Sequence, residues 1–191
     1  RFLMMFYLEQ MDIQHIKKQV ATFDGIQPIT PPAALQTILR PYQLEGVKWL
    51  STLEELRFGA CLADDMGLGK TIQIIAFLLI QKAKYPSKTS LIIVPTSLLQ
   101  NWADELAKFA PSLRLNWYYG DSKRNWNSSK LENTDVLLTS YHTVVSAGQL
   151  LQKHTFHYII LDESQQIKNP NSHRFRAVSA LKATNRIILT G

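Results

Sequence analysis

Gly67-Leu68-Gly69-Lys70-Thr71 is the segment of this chain whose residue types and spacing best suit chemistry. Paired glycines let a loop bend until its backbone N–H groups point inward at an anion. A helix starting at the next residue adds the positive end of its dipole. The apolar run Ala60-Cys61-Leu62-Ala63 precedes the segment and a longer one, Ile72 to Ile80, follows it. The whole reads as a strand, a loop and a helix. In such a loop Lys70 reaches the β- and γ-phosphates of a nucleotide, and the Thr71 hydroxyl ligates Mg²⁺. The general phosphate-loop pattern opens on a glycine at the position that Asp64 holds here. From these residues alone an ordinary strand–turn–helix therefore stays open.

A second group of candidates ends another apolar run, Tyr158-Ile159-Ile160-Leu161-Asp162-Glu163-Ser164-Gln165. Ligands of open α/β sheets bind at the carboxyl ends of strands, which puts these two acids beside the phosphate loop. Asp162 would hold Mg²⁺, mostly through water, and Glu163 would activate an attacking water. Taken alone, Asp-Glu after a strand could equally start a helix. A third candidate is Gln43 within Leu39-Arg40-Pro41-Tyr42-Gln43-Leu44-Glu45-Gly46-Val47. Its amide can read the Hoogsteen edge of adenine, although an isolated glutamine there reads as a surface helix residue.

The elements that position these residues follow from periodicity. Continuous apolar runs at Ala60–Ala63, Leu91–Val94, Val136–Leu138, Tyr158–Leu161 and Ile187–Leu189 mark strands buried on both faces. Between them lie helical patterns. Residues 97–109 carry Leu99, Trp102, Leu106 and Phe109 at helical spacing, which reads as core. Residues 72–80 are apolar nearly all round. This alternation predicts an α/β layered fold with a mostly parallel sheet. Residues 1–24 read as helical, with Leu8, Met11, Ile16, Val20 and Phe23 as packing positions. The prolines of Gln27-Pro28-Ile29-Thr30-Pro31-Pro32 make a linker. The segment Asp121 to Asn133, with Lys123, Arg124 and Lys130, reads as an exposed, solvated loop.

A length of 191 residues suits one domain. The net charge of +6 and pI near 9.4 favour an anionic partner. A single cysteine, Cys61, cannot form an internal disulfide, suits a reducing cytoplasm and reads as a core residue. The run Phe2–Leu8 is too short for a membrane span, and no longer apolar run reaches that length. The five histidines show no zinc-ligand spacing. A start at Arg1 reads as the cut end of a longer protein.

The ordered set Leu39–Val47, Leu62–Gln73, Val94–Trp102, Thr139–Tyr141, Asp162–Gln165 and Leu189–Gly191 resembles the first RecA-like lobe of the Snf2-type ATPases of helicase superfamily 2. The string Leu-Ala-Asp-Asp-Met-Gly-Leu-Gly-Lys-Thr is among the most specific strings of that family, whose members lack the first glycine of the general loop. The run from Asp162 to Pro170 looks most like bacterial members.

The resemblance implies a three-layer RecA-like P-loop lobe over residues 35–191, preceded by a helical segment and linker over 1–34. It implies an ATP site of Arg40, Gln43, Asp65, Met66, Gly67, Gly69, Lys70 and Thr71, with Mg²⁺ on Thr71 and Asp162. Lys70, Asp162, Glu163 and Gln165 would form the catalytic set. Gln165 and Thr190 would link the nucleotide state to a DNA site. Pro95-Thr96-Ser97 and Thr139-Ser140-Tyr141 match segments that grip the phosphate backbone of double-stranded DNA without reading its sequence.

The parent protein would then be a DNA-dependent ATPase and duplex translocase, bacterial, cytoplasmic and associated with the nucleoid. A second RecA-like lobe would supply arginines of the kind worth about 10³–10⁵ in rate. By that reading the chain is half of a motor, with little turnover on its own. Two other readings compete: a lobe of another superfamily 2 RNA or DNA helicase, and a non-catalytic nucleic-acid docking module. Lys70, Thr71, Asp162 and Glu163 together argue against the last.

Overall fold

The computed structural model describes residues 25, 29–63, 67–120 and 127–191. The helix expected over 1–24, the residues Asp64, Asp65 and Met66 of the phosphate loop, and Lys123 and Arg124 lie outside the described residues.

After an extended stretch and a short 3₁₀ turn at Ala33–Leu35, helix α1 (Pro41–Glu55) starts at a proline, where a missing N–H costs nothing. It is followed by β1 (Ala60–Leu62), α2 (Lys70–Lys84), β2 (Ser90–Val94), α3 (Leu99–Phe109) and β3 (Leu115–Tyr118). Then come α4 (Ser128–Glu132), β4 (Val136–Ser140), α5 (Tyr141–Ala147), β5 (Thr155–Leu161), α6 (His173–Ser179) and β6 (Lys182–Leu189). The strands form one sheet in the order β1-β6-β5-β2-β4-β3, and every pairing is parallel.

Successive side chains of a strand point to opposite faces. Leu91 and Ile93 of β2, Leu137 of β4 and Ile159 and Leu161 of β5 pack on one face, beneath Tyr141, Val144 and Val178 of α5 and α6. Ile92, Val94, Leu138 and Ile160 pack on the other, against Val47, Ile75, Phe77 and Trp102 of α1, α2 and α3. The result is the expected three-layer sandwich. It explains why the strands are apolar without alternation. Helix α2 is buried almost all round because it packs against both the sheet and its neighbours α1 and α3. Phe77 is fully buried and meets the Tyr158 ring edge-on, at 5.1 Å between centroids. Truncating such a phenylalanine to alanine costs about 3–5 kcal/mol.

Three features depart from the sequence reading. Leu115–Tyr118 is a sixth strand: it lies at the sheet edge, is only half-buried over its first three residues, and carries Asn116 where a core strand would be apolar. Strand β4 runs on to Ser140, through two polar residues. The solvated segment contains α4, started by the Asn127 side chain accepting from the Lys130 N–H.

The register decides where chemistry can happen. Leu62 pairs with Leu189, Ile188 with Leu161, Leu161 with Ile93, and Val94 with Ser140. The strand ends are therefore level, and the segments that follow β1, β6, β5, β2 and β4 all leave the same edge of the sheet.

Candidate functional site

Gly67 and Gly69 both have left-handed backbones, with φ of +86° and +77°. A side chain is strained there, and a Cβ on Gly69 would also stand 2.3 Å from the Gln43 Nε2. This left-handed step turns the chain straight into α2, so Lys70 and Thr71 form its first turn. Gln43 holds the loop from the side. Its Oε1 accepts the Arg40 N–H at 2.9 Å and its Nε2 donates to the Leu68 carbonyl at 3.2 Å. The Tyr42 hydroxyl donates to the same carbonyl at 3.1 Å. Gln43 is buried, not the surface residue that its isolated position would indicate. Arg40 is exposed at the helix start.

Across from the loop, Asp162 directly follows the last residue of β5. Its Oδ2 accepts the Trp102 indole N–H at 2.8 Å and its Oδ1 accepts the Glu163 N–H at 2.9 Å. Its carbonyl accepts the Tyr141 hydroxyl at 2.7 Å, and its own N–H donates to Ile93. Burial pushes the Asp162 carboxyl above the usual range, against the pull of Trp102, the Glu163 N–H and the Lys70 charge. Burial also raises the Tyr141 hydroxyl far above its ordinary value, helped by the charges of Asp162 and Glu163. Glu163 sits at φ +49°, ψ +52° without being glycine. Such a conformation costs on the order of 1–3 kcal/mol and recurs at functional sites. Gln165 Nε2 donates to the Glu163 carboxylate, and the Thr190 hydroxyl donates to Gln165 Oε1 across a long 3.4 Å.

Gly67, Gly69, Lys70, Thr71, Asp162 and Glu163 line a single cavity of about 450 Å³. Ile72 of α2, Leu98 just before α3, and Asn101, Trp102, Glu105 and Phe109 of α3 supply the remaining wall. The sequence reading took that helical spacing for core alone. Trp102 is core, at 1 % exposed, and also the partner of Asp162. Burial raises the Glu105 carboxyl, partly offset by a hydrogen bond from Asn101 and the charge of Lys108. The signal was present as polar residues four apart, at 101 and 105, beside the apolar stripe. Burial likewise raises the Cys61 thiol, in keeping with a packing role.

The two segments matched to a DNA backbone differ. Thr96 and Ser97 are exposed and Pro95 is half-buried. Thr139, Ser140 and Tyr141 are buried with internal partners: Thr139 donates to the Tyr118 carbonyl, and Ser140 accepts the Thr143 N–H at the start of α5. Their hydroxyls do not face outward as the sequence reading had them, because β4 continues through them and the sandwich covers both faces.

The profile described as the SNF2-related domain matches residues 42–191. The chain belongs to this family. This SNF2-related chain is 47% identical over 156 residues to a Bacillus subtilis protein provisionally named an ATP-dependent helicase/translocase, across 80% of the chain and 17% of that protein. A Mycoplasma pneumoniae protein named an uncharacterized ATP-dependent helicase is 43% identical over 181 residues, across 94% of the chain and 18% of that protein. The solved Sulfolobus solfataricus SWI2/SNF2 ATPase core in complex with dsDNA is 42% identical with a TM-score of 0.77, covering 88% of this chain and 34% of that one. The SNF2-related chain thus spans less than a fifth of the length of these curated relatives. Among the described residues no helix is long and apolar enough to cross a membrane.

Proposed function

We propose that this chain is the ATP-binding N-terminal lobe, over residues 35–191, of a Snf2-type ATP-dependent translocase on double-stranded DNA. The observation that carries this reading is the single cavity shared by Lys70 and Thr71 at the start of α2 and by Asp162 and Glu163 at the end of β5. A phosphate loop after β1 and a carboxylate pair after β5, with only β6 between them, are what phosphoryl transfer needs, since that reaction is governed by positioning and electrostatics.

The residues fit Mg²⁺ and ATP. The left-handed turns at Gly67 and Gly69 open the loop, and a Cβ at Gly67 would meet only open space. The Thr71 hydroxyl and the Asp162 carboxylate are the hard oxygen donors that Mg²⁺ takes. Bound Mg²⁺ would neutralise charge on the phosphates. Lys70 places its ammonium at the β- and γ-phosphates, with Asp65 and Met66 completing the loop. Gln43, already fastened to Leu68, faces adenine with Arg40 beside it. Glu163 accepts the proton of the attacking water. Gln165 and Thr190 pass the nucleotide state toward the DNA. Exposed Thr96 and Ser97 beside Pro95 meet phosphate oxygens, and Thr139–Tyr141 support that surface from within. Such contacts are sequence-independent and weaken with salt. A second lobe of the parent closes the ATP site, and the parent works at the bacterial nucleoid.

Calorimetric titration of the chain with ATP and Mg²⁺, in the wild type and in Lys70→Ala, tests the site. The variant should bind far more weakly. Equal affinity in both would sink the assignment.

A further inference from the structure

Asp162 is hydrogen-bonded from both faces of the sheet. The Trp102 indole reaches its carboxylate from the α3 layer, and the Tyr141 hydroxyl reaches its carbonyl from the α5 layer. Both donors are shielded, at 1 % and 2 % exposed. A buried indole or phenol must find an acceptor, but a backbone carbonyl would serve. Here two separate helices direct their buried donors to one residue that lines the cavity with the phosphate loop.

The positions of those helices give the arrangement its meaning. Helix α3 continues without a break from the 3₁₀ turn Thr96–Leu98, so Trp102 is carried on the same rigid piece as exposed Thr96 and Ser97. Tyr141 is the first residue of α5, directly after Thr139 and Ser140. The exposed segment at Thr96 and Ser97 and the buried strand end at Thr139 and Ser140 are therefore each followed, within a few residues of helix, by a donor on Asp162. A shift of either segment must carry its donor with it, because close-packed helices move as rigid pieces rather than deform. The bond to the carboxylate is charge-assisted and its indole donor is buried, so its orientation matters.

We infer that Trp102 and Tyr141 are positioning residues through which the exposed DNA segment at Thr96 and Ser97, and the buried strand end at Thr139 and Ser140 that supports it, set the Asp162 carboxylate. Duplex binding is thereby communicated to the metal ligand inside this lobe, in addition to the route through Gln165 and Thr190. The inference rests on the DNA reading above, and its test separates the two.

Phenylalanine at either position keeps the ring and removes the donor. In a ¹⁵N spectrum of the chain, the four tryptophans give four indole signals, and Trp102→Phe identifies one of them. That signal should lie downfield and exchange slowly. It should move when a random-sequence duplex is added without nucleotide, at concentrations that saturate fluorescence anisotropy, and the movement should vanish in Asp162→Asn. Duplex binding that leaves the signal still overturns the coupling and spares the DNA reading. No duplex binding at low salt overturns both.

In the full-length protein, Trp102→Phe and Tyr141→Phe should raise the Mg²⁺ concentration for half-maximal ATP turnover. About tenfold is the usual loss when the partner of a metal ligand is removed. Stimulation by duplex should fall as well. If turnover drops only with the folded fraction and the Mg²⁺ dependence is unchanged, both residues are merely structural.

Discussion

The two ends of the sheet hold buried carboxylates in opposite electrostatic states. At the end where strands begin, Asp135 precedes β4 and is ion-paired to Lys82 and Arg114, at 2.5 Å and 2.8 Å. Burial works to raise that carboxyl, but Arg114 and Lys82 outweigh it and hold it below the usual range. Nearby, Glu54 takes Lys84 and the Tyr85 hydroxyl, and buried His157 shares a hydrogen bond with Gln81. At the end where strands stop, Asp162 is held by an indole and a backbone N–H, and burial keeps its carboxyl above the usual range. The acids of the first end are paired internally. At the second, no ion pair joins Asp162 or Glu163 to a cation among the described residues, and these acids can respond to an incoming cation. A perturbed acid in a cavity marks a functional site, whereas a paired one marks structure.

The largest effects should come at the strand ends. Glu163→Gln in the full-length protein keeps the side chain's shape and removes the group that takes a proton from water. Turnover should fall by about 10²–10⁴, with ATP binding spared. Normal steady-state hydrolysis with DNA present would show that the two acids have been given the wrong roles. Gly69→Ala should follow, since it adds a Cβ both at a left-handed backbone and against Gln43. Strain on the order of 1–2 kcal/mol predicts roughly a tenfold loss of nucleotide affinity. Unchanged calorimetric affinity would mean that the loop has another conformation when it binds.

Asparagine substitutions sharpen the contrast between the two acids. Asp135→Asn should destabilise by about 1.5–3 kcal/mol, nearer the lower figure because Lys82 and Arg114 remain in part hydrated. Asp162→Asn removes a charge that folding disfavours. It should leave the melting temperature closer to wild type, although the site loses a metal ligand. The reverse order in thermal melts would break the comparison.

The smallest effect concerns pH. Burial lowers the His157 pKa below 6.5, with Lys84 and Lys88 helping and Glu54 opposing. The folded state thus refuses a proton that the unfolded state accepts. Stability is full above about pH 6.5 and declines as pH falls below it. Asp135, held below 3.8, adds a second decline as pH falls under that value. Denaturant midpoints across this range should show both limbs, and His157→Gln should flatten the upper one.

Much of this was legible in the residues. The parallel sheet could be read because five strands are apolar without interruption, and only burial on both faces favours that. The phosphate loop could be read because glycine, lysine and threonine at that spacing serve a local geometry set by a few dihedral angles. Asp162 and Glu163 could be placed at the same edge because a parallel sheet aligns its strand ends. Strand β3 could not be read, because a short edge strand with Asn116 inside it has no distinctive period. Nor could the second role of Trp102 be read: a helical stripe of apolar residues predicts a core, and periodicity says nothing about where an indole N–H points. That Trp102, sixty positions before Asp162, would donate to its carboxylate was decided by where α3 packs on the sheet. The same holds for Thr139 and Ser140. Their types fit phosphate contacts, but their exposure was set by how far β4 extends between two layers of helices. Local chemistry depends on neighbours in the chain and can be read there. Burial and long-range hydrogen bonds depend on which elements pack together, and only the assembled sandwich determines that.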